Sequence, residues 1–169
     1  KSTDPMLFVA AAIDKGFDPD KLGKLLDFVE RCRKDEARQA FFRALAAFKA
    51  DPPELLKDTQ VRYQNSKGGT TEYWHADLAA VATILSKALS LHNLFFRWKT
   101  NQEADGQLVV TCILSHDMGH SEETTLRSPP DVSGGKIGIQ ALGSTDSYLK
   151  RYTLFDAVGL QAKGMDDDG

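Results

Sequence analysis

The side chains best suited to chemistry in this chain are cations set beside small residues. Lys150 and Arg151 follow Gly143 and Ser147 in one tract that carries helical spacing. On a wheel of about 100° per residue, Ala141, Leu142, Thr145, Tyr148, Leu149, Tyr152 and Phe155 share one face. Lys150 points nearly opposite that face, Arg151 stands at its margin, and Gly143 and Ser147 share the cations' side. Small neighbours let a polyanion come close, so charge meets phosphate at short range. An exposed Lys-Arg pair that only faces water has the same pattern. Asp156 falls within the apolar arc without a reason visible in the sequence.

Ser133-Gly134-Gly135-Lys136 leads into the same helix. Glycines before a helix leave backbone N–H groups free for a phosphate, so Gly135 and Lys136 are candidates for backbone contact with a nucleic acid. A flexible loop with a capping serine is the competing reading. The tract is not a nucleotide-binding P-loop, because Ile137 follows the lysine where Ser or Thr is required. Arg97-Trp98-Lys99 has strand character, which places Arg97 and Lys99 on one face and Trp98 on the other. With Trp98 in the core, Arg97 and Lys99 stand on a free face, with Arg127 on a nearby strand. A basic sheet face beside aromatic groups binds a single strand without reading its sequence.

Other constellations are weaker. Cys112, His116 and His120 lie around a hairpin turn, where they do not converge on a metal by default. Asp166, Asp167 and Asp168 read as a solvated tail more readily than as a metal site. No second carboxylate cluster and no nucleophile elbow accompany them. Neither a metal nor another cofactor is expected. Tyr73-Trp74-His75 suits a hydrophobic staple at a helix entrance or a stacking site.

These groups need elements to position them. Of 169 residues, 41% are hydrophobic and 27% charged, ordinary for a globular protein. The first residue is Lys1 rather than Met, as expected of a piece of a longer product. No apolar run approaches the roughly 20 residues of a membrane helix, and two distant cysteines suit a reducing cytoplasm. Residues 1–58 carry 11 Lys/Arg and 11 Asp/Glu, and residues 59–163 carry 10 and 10. The net charge of −3 is therefore the three terminal aspartates, and any polyanion site must be a local basic surface.

Helices are expected from Asp4-Pro5 to Gly16, over about Pro19–Lys34 and over about Asp35–Ala50, the last two separate or continuous. Asp51-Pro52-Pro53 ends the helical arm. A short strand over Thr59–Gln64, a loop over Asn65–Thr70 and a helix over about Asp77–Leu91 follow. Strands over Leu94–Thr100, Leu108–Ser115 and Ser121–Arg127, joined through Asp105-Gly106 and Met118-Gly119, form an antiparallel meander. A long helix runs over about Gly138–Val158, closed by Gly159 and Gly164. The fold class is α+β, a β-β-β-α core with an N-terminal helical arm. The expected division is an arm over residues 1–58, a core over 59–163 and an acidic tail start over 164–169. The arm's apolar face lacks an evident partner in so small a core and is a candidate for bridging neighbours.

From Tyr73 to Gly169 the chain resembles the Erf (essential recombination function) superfamily of phage single-strand annealing proteins. The resemblance rests on Gly119-His120-Ser121, PPDVSGGK, the IQA and GS pieces, Tyr148-Leu149-Lys150-Arg151-Tyr152 and the acidic DDDG end, in that order. The tract Tyr73–Leu78 is similar to that family's entry to its first core helix, and Leu25–Ala50 to the helical lead-in of some members. The chain departs from the family pattern at Ile137, Asp146, Phe155 and Asp156. Thr145–Arg151 is also similar to the DNA-contacting helix of the eukaryotic strand-annealing recombination mediator.

The resemblance implies single-stranded DNA binding and annealing of complementary strands without ATP, by a protein that is not an enzyme. It implies a homo-oligomeric ring or helical filament with the strand in a groove crossing subunits. A host single-strand binding protein or a phage exonuclease would be a further partner. The candidate DNA contacts are Lys150, Arg151, Lys136, Arg97, Lys99, Arg127, Ser147 and Gly135. The alternatives are an oligomeric scaffold or adaptor without DNA affinity and a metal-dependent nuclease.

Overall fold

The computed structural model describes residues 5–55, 59–64, 70–75 and 77–161. Asp4, Gly164 and the three terminal aspartates lie outside the described residues. Helix α1 (Pro5–Asp14) turns at Gly16, whose φ of 71° suits glycine. Helix α2 is one continuous element, Pro19–Ala50, capped by the Asp18 carboxylate on the Asp20 N–H. The two expected helices thus join. Glu30, Lys34, Asp35 and Arg38 span the join with side-chain pairs at three- and four-residue spacing, and nothing there breaks the helix.

Strands β1 (Thr59–Gln64) and β2 (Thr70–His75) form an antiparallel two-stranded sheet. Tyr73-Trp74-His75 is therefore a strand end and not a helix entrance. Helix α3 (Leu78–Ser90) starts at Asp77, whose carboxylate accepts the Ala80 N–H at 3.0 Å. Strands β3 (Leu94–Gln102), β4 (Leu108–His116) and β5 (Ser121–Ser128) make the expected meander in the order β3-β4-β5. The turns use Gly106 at φ 85° and Gly119 at φ 98°. A short 3-10 turn, Ser133–Gly135, precedes helix α4 (Gly138–Val158), which ends at Gly159 in the left-handed region.

Helices α2, α3 and α4 all cover one face of the three-stranded sheet. The core joins Phe41 and Phe48 of α2 with Val81, Leu85 and Leu89 of α3. Leu94, Cys112 and Leu114 of the sheet meet them there, along with Leu154, Phe155 and Val158 of α4. A smaller cluster sets Leu149 against Leu108 and Val110. The second half of α2 thus has a partner in this core. Its first half leaves Leu25, Phe28 and Val29 partly or largely exposed. Among the described residues no helix is long and apolar enough to cross a membrane.

Candidate nucleic-acid interface

Pairing register defines the sheet face opposite α2, α3 and α4, whose flanking strands are exposed although Ile113 and Ser115 of the central strand are buried on it. Opposed residues on antiparallel strands point the same way. Lys99 opposes Thr111, which opposes Thr125, while Asn101 opposes Val109, which opposes Arg127. Arg97 opposes Ile113, which opposes Glu123. Arg97, Lys99 and Arg127 therefore share this open face, and all three are exposed. The period-2 alternation along β3 puts Phe96 and Trp98 against the core and Phe95, Arg97 and Lys99 outside. Trp98 is fixed further by its indole N–H, which donates to the Lys150 carbonyl at 3.1 Å. The Thr111 and Thr125 hydroxyls bond one another at 2.8 Å in the row of Lys99, between those of Arg97 and Arg127.

Phe95 is 52% exposed on the same face. Sequence reasoning passed over it because Leu94-Phe95-Phe96 reads as a continuous core segment. The signal available was phase, since Phe95 is two residues before Arg97 and four before Lys99. The outcome is an exposed aromatic ring next to Arg97 and Lys99 on β3, with Arg127 farther along the same face on β5 and Glu123 across from Arg97 as a counter-charge.

Helix α4 departs from its wheel. Lys150 is not free on the far side. Its ammonium bonds the Asp146 carboxylate at 2.7 Å, with the two side chains 28% and 25% exposed. Arg151 is buried at 8% exposure, with its guanidinium 5.4 Å from the Tyr148 ring centre. Its Nε has no hydrogen-bond partner among the described residues. Tyr152, expected inside, is 39% exposed, and Tyr148 is only half-buried. Their rings stack at 6.3 Å. Asp156, which the wheel set among apolar residues, is exposed beyond Tyr152. The cause is packing on several sides. The first half of α4 buries one side, through Ala141, Thr145 and Leu149, whereas the second half also buries Arg151, Leu154 and Val158. An arginine tolerates this because its methylene stem packs like an apolar side chain.

The loop before α4 is a closed polar network. Asp131 accepts from the Ser133 N–H at 3.0 Å, from the Ser144 hydroxyl at 3.1 Å and from the Lys136 ammonium. The Asp131 N–H donates to the buried Thr145 hydroxyl at 2.8 Å. The hydrogen bonds from Lys136 and Ser133 hold the Asp131 carboxyl well below the usual carboxylate range. Lys136 is therefore engaged in holding the loop. Gly134 and Gly135 both take positive φ, 67° and 73°, which lets the loop fold back on Asp131. Gly135 is exposed, and the Ser147 hydroxyl donates to the Gly143 carbonyl of its own helix at 2.9 Å.

Cys112, His116 and His120 do not form a set. Cys112 lies in the core, and burial pushes its thiol up to about 12. His116 accepts the Met118 N–H, and the His120 ring packs edge-on to Phe41 at 5.1 Å. Among the described residues no three His, Cys, Asp or Glu side chains are grouped to hold a metal ion.

Comparison with curated proteins and with solved structures finds no match. The sequence model of the ERF superfamily matches residues 41–169, which takes in the second part of α2, both sheets, α3 and α4. With more than half of its length matched in this way, the chain belongs to the ERF superfamily, a family of phage recombination and strand-annealing proteins rather than typical catalysts.

Proposed function

We propose that this protein binds single-stranded DNA and anneals complementary strands without nucleotide hydrolysis, using the open face of its three-stranded sheet. The observation that carries the reading is the placing of exposed Arg97, Lys99, Arg127 and Phe95 on one face of the sheet, opposite α2, α3 and α4, in a chain of the ERF superfamily. Arg97 and Lys99 stand about 7 Å apart along the strand, and both reach a phosphate backbone without giving up an internal partner. Phe95 offers a ring on which a base can stack without regard to its identity. Lys150 lies across the β3 edge on the α4 side of the sheet, and Arg151, Lys136 and Ser147 have partners within α4 and the loop before it.

The mechanism is physical. The strand is held by its phosphates, and a second strand tests registers against its exposed bases. Base pairing supplies the free energy, so the protein needs no cofactor. A homo-oligomer suits this role, because the sheet has two edge strands, β3 and β5, and successive sheets could then share one strand. The test is fluorescence-quench annealing of complementary oligonucleotides with no nucleotide present, with and without magnesium. Accelerated annealing in both conditions is expected. A strict nucleotide requirement, or cleavage of the strands with magnesium, would overturn the reading.

A further inference from the structure

We propose that Asp146 is a built-in competitor for phosphate at Lys150, which weakens the hold on single-stranded DNA at the β3 edge. The inference rests on the DNA-binding reading above. The Asp146 carboxylate is held at both oxygens. One accepts the Thr100 hydroxyl at 2.9 Å and the other the Lys150 ammonium at 2.7 Å. It cannot swing aside without breaking the bond to β3. The same spacing and the same 2.7 Å distance occur at Glu30 and Lys34, but those side chains are 64% and 75% exposed. The Asp146–Lys150 pair is 25% and 28% exposed, so water and salt screen it far less.

Position makes the pair relevant to a bound strand. β3 is an edge strand. Thr100, which holds Asp146, directly follows Lys99 of the open face, so the pair and Lys99 flank the same edge from its two sides. A shallow hollow of about 320 Å³ opens there, lined by Thr100, Asn101, Leu142, Gly143 and Asp146. Gly143 adds no side chain, and a Cβ built on it would meet nothing within 4 Å. Asp146 lines this hollow and Lys150, its ion-pair partner, does not, so a phosphate that enters reaches the ammonium only by taking the place of the carboxylate. Binding therefore exchanges a carboxylate for a phosphate and gains less than a free lysine would give. A weaker hold also lets a strand shift register while pairing is tested.

The experiment measures affinity for a labelled oligothymidylate by fluorescence anisotropy at several salt concentrations. Asp146→Asn keeps an oxygen for the Thr100 hydroxyl and removes the charge. It should tighten binding roughly fivefold, the equivalent of one modest ion pair, and steepen the salt dependence by about 0.7, one added phosphate neutralised. Asp156→Asn removes an exposed charge from the same helix and controls for net charge alone. In a Lys150→Ala background, Asp146→Asn should give no gain. Equal effects of Asp146→Asn and Asp156→Asn, or a gain that survives Lys150→Ala, would overturn this inference while wild-type binding stands. Absence of binding by the wild type and every variant would overturn the DNA-binding reading and this inference with it.

Discussion

On the covered face of the sheet, Leu94, Cys112 and Leu114 meet three helices; on the open face, Phe95, Arg97 and Lys99 meet solvent. The two sets interleave along the same strands, one residue out of phase. Free cations stand on the open face because the covered face fixes the strands beneath them. Trp98 shows the coupling, since its ring lies in the core and its N–H anchors α4 while its neighbours Arg97 and Lys99 project the other way. The cations of α4 and of the loop before it lack this freedom. Lys150 and Lys136 are held by carboxylates, and Arg151 is buried. A basic residue on a helix that is packed on several sides is more readily enlisted by the fold than one on a half-covered sheet.

The contrast is broken most sharply by the same truncation on the two sides. Phe48→Ala removes a fully buried ring and should cost about 3–5 kcal/mol in urea unfolding. Phe95→Ala, on the open face, should change stability by no more than about 0.5 kcal/mol and weaken DNA binding instead. A large stability loss for Phe95→Ala would show that another part of the molecule covers this face.

A second effect depends on pH. The Asp131 carboxyl is depressed in the folded state by its bonds to Lys136 and Ser133. Its stabilisation is therefore present above the ordinary carboxylate value of about 3.9 and is lost as pH falls below that value through the folded one. The stability difference between wild type and Asp131→Asn should be clear at neutral pH and shrink steadily in acid. A difference that is constant with pH would show that the charge of Asp131 does not act.

The smallest effect concerns Arg151. Its buried Nε lacks a hydrogen-bond partner among the described residues, and a buried polar group without one opposes folding. Arg151→Met, which keeps the length of the stem, should leave stability within about 1 kcal/mol of wild type or raise it. A larger loss in thermal unfolding would reveal a partner that the guanidinium needs.

Much of this was legible in the sequence. Gly138 and Gly159 mark the ends of α4, and the two turn glycines set the meander. The alternation of Arg97, Trp98 and Lys99 gave their faces correctly because a strand on a half-covered sheet obeys period 2. Strand β2 was not legible because Thr70–His75 abuts the Asp77 cap, and its aromatic residues suit a helix entrance as well as a strand. The wheel failed for Arg151 and Tyr152 because a wheel assumes one buried side, and the second half of α4 has more than one. The ties from Asp146 to Lys150 and Thr100 and from Asp131 to Lys136 depend on distances. Residue types suggest such pairs and cannot show that they close.

The most direct test of the open face as the DNA-binding surface is the triple variant Arg97→Ala, Lys99→Ala, Arg127→Ala. Its affinity and salt dependence are measured on two oligonucleotides of unrelated sequence, beside its thermal stability. Binding should weaken about equally on both sequences, since phosphate contacts carry no base information. The salt slope should fall by roughly 0.7 for each phosphate no longer neutralised, about 2 in all, with folding unchanged. Full affinity and an unaltered slope in the triple variant would contradict this assignment, and would place the strand on another surface or leave the protein without a DNA-binding role.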